Sequence, residues 1–286
     1  MTAPLSDAQI TRYFARVGYD GPRVASLTTL RALHRAHLLA IAYENLDIHL
    51  GLPLTLDPAA IFTKLVDERR GGWCYEMNGL FGWALGELGF KVTRATGAVM
   101  RAAAGDAVIG NHLVLRVDLP EGVHLADVGF GDGPNEPFAV REGTFDSNGF
   151  PYAVERTGDG WWRLVNHPAG GAASFDFDPH PADETRLAAK CDELQTAETS
   201  VFVQNAVAFR QTPGAIDVLR GRVALRIRPD GTGKRLIENA DDLIATLKDV
   251  FALDLPEAAG LWDKIAARHE QVMAEREAAK AAASPA

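Results

Sequence analysis

The stretch Arg70-Gly-Gly-Trp-Cys-Tyr-Glu-Met-Asn-Gly-Leu-Phe81 decides how the rest of the chain is read. Its two glycines permit a tight backbone turn. Cys74 then opens a helix whose apolar positions Met77, Leu80, Phe81, Ala84, Leu85 and Leu88 fall at helical spacing. A thiol at a helix N-terminus meets free N–H groups and the positive end of the macrodipole, which favour the thiolate, the nucleophilic form. A buried structural cysteine is the alternative, and a base nearby discriminates between the two.

Working outward, His112 opens the alternating run His112-Leu-Val-Leu-Arg-Val-Asp118, and Asp127 lies in the next one, Val123-His-Leu-Ala-Asp-Val-Gly-Phe130. The turn at Pro120-Glu-Gly122 makes a hairpin of the two. A loop of residues 119 and 120 sets His112 opposite Asp127; a loop of residues 119–122 sets it opposite Gly129 and diagonal to Asp127. Either register puts both side chains on one face. Taken singly, a strand histidine is usually just satisfied and an aspartate often caps a turn. With Cys74 they form the nucleophile, base and orienter of a triad.

Before the cysteine the chain reads as helical, with Ile10, Tyr13, Phe14 and Val17, then Leu27, Leu30, Leu33, His34, Leu38 and Ile41, at helical spacing. His34 and His37 are expected to flank a helix surface. Asp57-Pro-Ala-Ala-Ile61 is a cap-and-proline start for a further short helix. After Gly89 the period switches to two, and strands are expected near residues 92–99, 138–140, 152–154 and 161–165, forming a barrel or sandwich. His167 and His180 sit beside prolines in expected loops, and residues 102–110 read as a mobile loop. Phe202, Ala206 and Phe209 suit a helix, Arg222-Val-Ala-Leu-Arg-Ile-Arg228 a strand, and residues 239–251 and 256–283 helices, with residues 280–286 frayed.

Composition bounds the function. The 286 residues are 47% hydrophobic and 23% charged, which excludes a disordered chain and a membrane protein. Cys74 and Cys191 are the two cysteines, too few for a disulfide framework. The start carries no apolar run of signal-peptide length, so a cytoplasmic location is expected. A net charge of -9 argues against nucleic acid, although a local cationic cluster can still take a phosphorylated ligand. No zinc-ligand spacing and no phosphate-binding glycine motif occurs, so no metal is expected.

These residues resemble the arylamine N-acetyltransferase family. The resemblance rests on Glu44-Asn-Leu-Asp47, Arg70-Gly-Gly-Trp-Cys74 with Glu76 and Asn78, His112-Leu-Val-Leu, and Asp127-Val-Gly-Phe-Gly131, in the family's order and spacing, and continues through Ser200-Val-Phe202 and Leu219-Arg-Gly-Arg222. It implies an α+β multidomain fold with a cysteine-protease-like Cys-His-Asp core. Residues 1–90 would form a helical bundle carrying the nucleophile, 91–190 a β-barrel carrying His112 and Asp127, 191–210 an interdomain segment and 211–286 an α/β lid with a C-terminal helix.

The same resemblance implies acetyl-CoA as donor, an arylamine, hydrazine or N-hydroxyarylamine as acceptor, and ping-pong transfer through acetyl-Cys74. Phe130, Phe202, Val99, Asn111, Gly129 and Asn78 would line the acceptor pocket or CoA cleft. Arg70 and Glu76 would form a structural ion pair flanking the nucleophile. A homodimer is allowed; a membrane partner is not expected. Ala42-Tyr43 departs from the family's usual Pro-Phe, and residues 183–191 from its interdomain pattern. An amide synthase of the same family acting on a polyketide acyl chain, and a thiol hydrolase or transglutaminase-like enzyme, are the alternatives.

Overall fold

The computed structural model describes residues 6–283. Helix α1 (Asp7–Val17) starts at Ser6, whose hydroxyl accepts the Gln9 N–H while the Gln9 side chain accepts the Ser6 N–H, a reciprocal cap. It buries Ile10, Tyr13, Phe14 and Val17, the positions its spacing predicts. In α2 (Leu27–Ala40) the expectation for the histidines is reversed. His34 and His37 are both buried, because the helix is covered on that face by Phe81, whose ring meets both imidazoles edge-on. Strand β1 (Tyr43–Glu44) and helices α3 (Leu46–Leu50), α4 (Pro58–Phe62) and α5 (Cys74–Glu87) follow. Asp57 caps α4 as its sequence predicts, and the helix continues as a wider turn over Thr63–Asp67.

The central strands are β2 (Lys91–Val99), β3 (His112–Leu119), β4 (Gly122–Ala126), β5 (Phe138–Ala139), β6 (Gly143–Ser147), β7 (Phe150–Arg156), β8 (Trp162–Val165) and β9 (Ser174–Pro181). They form one eight-stranded sheet in the order β5-β4-β3-β2-β9-β8-β7-β6. No ladder joins β5 to β6, so the expected barrel is an open sheet. It must nonetheless curl. Laid flat, its two edges would stand roughly 33 Å apart at the usual strand spacing, whereas the connection from Ala139 to Gly143 spans at most about 14 Å. Phe138 on one edge stacks on Phe145 of the other, at 5.4 Å between centroids.

The second sheet has the order β1-β10-β11-β12-β13, with β10 (Val207–Thr212), β11 (Ala215–Arg220), β12 (Val223–Arg228) and β13 (Gly231–Leu236). Its first strand comes from the helical part of the chain, and core cluster residues run unbroken from α1, α2 and α5 onto Leu115 and Val117 of β3. Packing therefore crosses the boundaries suggested by changes in sequence period.

Several local expectations change. Residues 102–110 carry the short helix α6 (Arg101–Ala104) and a 3₁₀ turn over Gly105–Val108, tied down because Arg101 bonds Asp106 and Asp159 and lies over Trp161. His180 is in strand β9 rather than a loop. The unexpected helix α7 (Glu184–Thr196) is capped by Asp183. Phe209 lies in β10, since the helix before it, α8 (Val201–Gln204), ends early. Helix α9 (Ala240–Asp249) and the terminal α10 (Trp262–Ala283) close the described chain. The expected fraying of residues 284–286 lies outside the described residues. No described helix is long and apolar enough to cross a membrane.

Candidate active site

Close backbone approach, rather than unusual dihedrals, explains the two glycines before the cysteine. A side chain at Gly71 would strike the Ala42 carbonyl oxygen at 2.3 Å, and one at Gly72 would meet the Glu76 side chain at 2.9 Å. Freed of side chains, Gly72 pairs with β1: its carbonyl accepts the Glu44 N–H at 2.9 Å and its N–H reaches the Ala42 carbonyl at 3.2 Å. Trp73 then caps α5, with its N–H bound by the Glu76 carboxylate at 3.2 Å. Cys74 is the first residue of α5 and is 2% exposed.

The β3–β4 hairpin pairs Leu119 with Gly122 and Asp118 with Val123. The register is thus that of the longer expected loop, tightened by one further pair. Asp127 falls just beyond β4 rather than within it. His112 Nε2 and Asp127 Oδ2 are 2.7 Å apart, both side chains buried. Gly97 lies across from His112 on β2, where any side chain would press on the imidazole. Phe175 packs edge-on to the ring at 5.2 Å and Phe130 at 5.9 Å.

Burial alone would raise the Asp127 carboxyl, but His112, Asn78 and the Gly129 N–H outweigh it and hold the group below the usual carboxylate range. The thiol differs. Burial pushes Cys74 well above its usual range, and Cys191 and Asp127 add to this, while N–H groups of Leu113 and Tyr75 pull the other way. Contrary to the expectation from the helix N-terminus, the dipole does not by itself supply a resting thiolate. Such a thiol needs a partner that takes its proton and keeps the resulting charge close by.

A family model described as N-acetyltransferase matches residues 26–259. An arylamine N-acetyltransferase of Mycolicibacterium smegmatis is 35% identical over 255 residues, 87% of this chain and 93% of that protein. The solved Mycobacterium marinum arylamine N-acetyltransferase in complex with CoA matches with a TM-score of 0.82 at 34% identity, covering 91% of this chain and 97% of that one. The Mycobacterium tuberculosis structure gives 0.82 at 32%, covering 90% and 99%. The chain belongs to the arylamine N-acetyltransferase family. It is accordingly an acyltransferase with the mixed α and β fold of the arylamine N-acetyltransferases.

Among the remaining residues that the arylamine N-acetyltransferase resemblance singles out, Asn78 departs most from expectation. It is fully buried. Its Nδ2 donates to the Leu113 carbonyl at 2.6 Å and to Asp127 Oδ1 at 2.8 Å, and its Oδ1 accepts the Val128 N–H at 3.0 Å. One turn after Cys74, it clamps the start of α5 to the residue after His112 and to Asp127. Both amide hydrogens are thus engaged within the protein, and one acceptor lone pair on Oδ1 is unused.

Gly129 brings its backbone against the same helix: a Cβ there would lie 2.7 Å from Cys74 Cα. The Asn111 side chain is occupied by the Val99 N–H and C=O, and its own carbonyl faces Cys74 Sγ at 3.9 Å. Phe130 and Phe202 are each half-buried, Phe130 against His112 and Phe175, and Phe202 edge-on to Trp73 at 5.4 Å.

Arg70 and Glu76 are not paired with one another. Arg70 binds Glu44 and Asp47 at 2.8 and 2.6 Å, and Lys64 binds Asp47 and Glu76, each at 2.8 Å. Three carboxylates thus share two cations in a nearly buried network below α5. The excess charge falls on Glu76, whose carboxyl burial pushes up to about 7 although Lys64 opposes it. Lys64 gave no sequence signal, being one cation among 29 basic residues. Phe175 and Cys191 were equally silent, the first an ordinary strand residue, the second on a helix whose pattern departs from the family's. Cys191 and Leu187 of α7 belong to the same buried cluster as Trp73, Cys74 and Tyr75.

Proposed function

We propose that this arylamine N-acetyltransferase family member transfers an acetyl group from acetyl-CoA to an arylamine, arylhydrazine or N-hydroxyarylamine through an acetyl-Cys74 intermediate, with Cys74, His112 and Asp127 as the catalytic residues. The observation that carries the reading is the 2.7 Å His112–Asp127 contact beside a buried cysteine at a helix start. With Nε2 committed to Asp127, Nδ1 is the nitrogen left to exchange protons with the thiol.

His112 takes the Cys74 proton, and Sγ attacks the thioester carbonyl. The tetrahedral adduct collapses by breaking the carbon–sulfur bond to CoA, whose thiolate receives the proton back from His112. An amine nitrogen then attacks the acetyl carbon of acetyl-Cys74 and loses its proton to His112. Expulsion of the Cys74 thiolate, reprotonated by the imidazolium, restores the enzyme. Asp127 stabilises imidazolium in both halves. The backbone N–H groups of Tyr75 and Leu113 favour the anionic form of the sulfur, against its burial. Backbone N–H donors beside Cys74 that meet the oxyanion of the tetrahedral adduct would contribute about 3 kcal/mol each.

Phe130 and Phe202 would flank the acceptor and keep water from the acetyl-enzyme, with Val99, Asn111 and Gly129 forming backbone walls. The CoA donor is supported by the M. marinum relative solved with CoA. Purified protein given acetyl-CoA and a simple aniline or hydrazine should release free CoA in proportion to acceptor. Absence of acceptor-dependent release across a panel of such amines would sink the assignment.

A further inference from the structure

A cavity of about 720 Å³ opens between α8, the β11–β13 part of the second sheet and α10. Its rim is cationic: Arg220, Arg222, Lys234, Lys264, Arg268 and Arg276 line it, and no carboxylate does. Among the described residues Arg220, Arg222, Lys234, Lys264 and Arg276 have no acidic partner, and Arg268 lies 3.8 Å from the Glu275 carboxylate. The Arg268 Nε and both ring nitrogens of His49 are buried without any hydrogen bond. The floor is apolar, made by Val223, Leu225, Ile265 and Val272. Six like charges around one cavity repel each other, and in a chain of net charge -9 this concentration is not a consequence of composition. Much of the wall comes from α10, which lies beyond the residues the family model matches.

A single carboxylate would leave most of these cations unanswered, and inorganic phosphate would leave the apolar floor uncovered. A ligand that satisfies both has several phosphate charges and a planar or apolar body, and the volume suits a nucleotide. We propose that this groove binds a multiply phosphorylated nucleotide, chemistry shared by free nucleotides and by the nucleotide end of CoA. The site's existence does not depend on the acetyl-transfer reading; only the CoA source rests on it. Helix α8 connects the two places, since Phe202 packs on Trp73 while Val203 and Gln204 line the groove.

The test is calorimetric titration of the full chain with adenosine 3′,5′-bisphosphate, ADP and CoA, beside the exposed double variant Arg220→Gln/Lys264→Gln. Wild type should bind these probes at one site, more weakly as salt rises, and the double variant at least tenfold more weakly. If no probe binds at millimolar concentration, or the double variant binds like wild type, the proposal is overturned. The source is then read from steady-state kinetics: a KM for acetyl-CoA that rises at least tenfold in the variant identifies the donor, and one that stays put identifies a free nucleotide. Acetylation of wild-type Cys74 by S-acetyl-N-acetylcysteamine, a thioester without phosphates, tests the acetyl-transfer reading separately.

Discussion

The neighbourhood of Cys74 and the groove under α10 handle charge in opposite ways. Around the cysteine, Asp127 has its carboxylate oxygens engaged by His112, Asn78 and Gly129, and Arg70 and Lys64 are held by Glu44, Asp47 and Glu76. In the groove, five of the six cations have no acidic partner among the described residues. Internal satisfaction fixes geometry, which a nucleophile and base require. Unsatisfied charge waits for a counter-ion, which a binding surface requires. Burial is the physical divide: an unpaired charge is tolerable where water reaches it and costly where water does not.

Breaking the satisfied side should cost most. Asp127→Asn preserves shape but removes the acceptor that orients His112, and kcat should fall by about 10⁴-fold, measured by CoA release; a loss below tenfold would contradict the orienting role. Lys64→Met leaves three buried carboxylates with one cation, and the urea midpoint should report a loss of about 3–5 kcal/mol. Gly129→Ala forces a methyl against Cys74 Cα, so the same measurement should show about 1–3 kcal/mol together with slowed acetylation.

The smallest effect is in pH. Glu76 carries a folded-state pKa raised to about 7, so its contribution to stability is full below the unfolded carboxyl value and is lost as pH rises through 7. Burial pushes His34 down to about 4, so its contribution is present above the unfolded imidazole value and is lost as pH falls. The two oppose each other between about pH 5 and 7. Glu76→Gln removes one side, and its stability relative to wild type should climb across that window; parallel urea midpoints would contradict this.

What was legible in the sequence follows from the same divide. Periodicity exposes which face of α1 is buried, and it shows the β3–β4 hairpin down to two registers, because hydrophobic burial repeats along the chain. The triad candidates were legible because Cys74, His112 and Asp127 sit at element boundaries marked by glycine and turn residues. Asn78 was misread as a pocket residue, since a polar side chain looks the same whether it meets a ligand or ties three backbone segments together. His34 and His37 were misread as surface residues, because Phe81, the ring that covers them, lies far along the chain. The curl of the central sheet was expected from the barrel reading, but that β5 and β6 stay unpaired was hidden, because no local pattern shows whether two edge strands meet. The cationic groove is assembled from α8, β11–β13 and α10, and no local window contains it.

The central claim is that Cys74 carries the acetyl group. Intact-protein mass after exposure to acetyl-CoA alone tests it most directly. One acetyl adduct on wild type and none on Cys74→Ala is the predicted result; no adduct on wild type, or the same adduct on both, would contradict it.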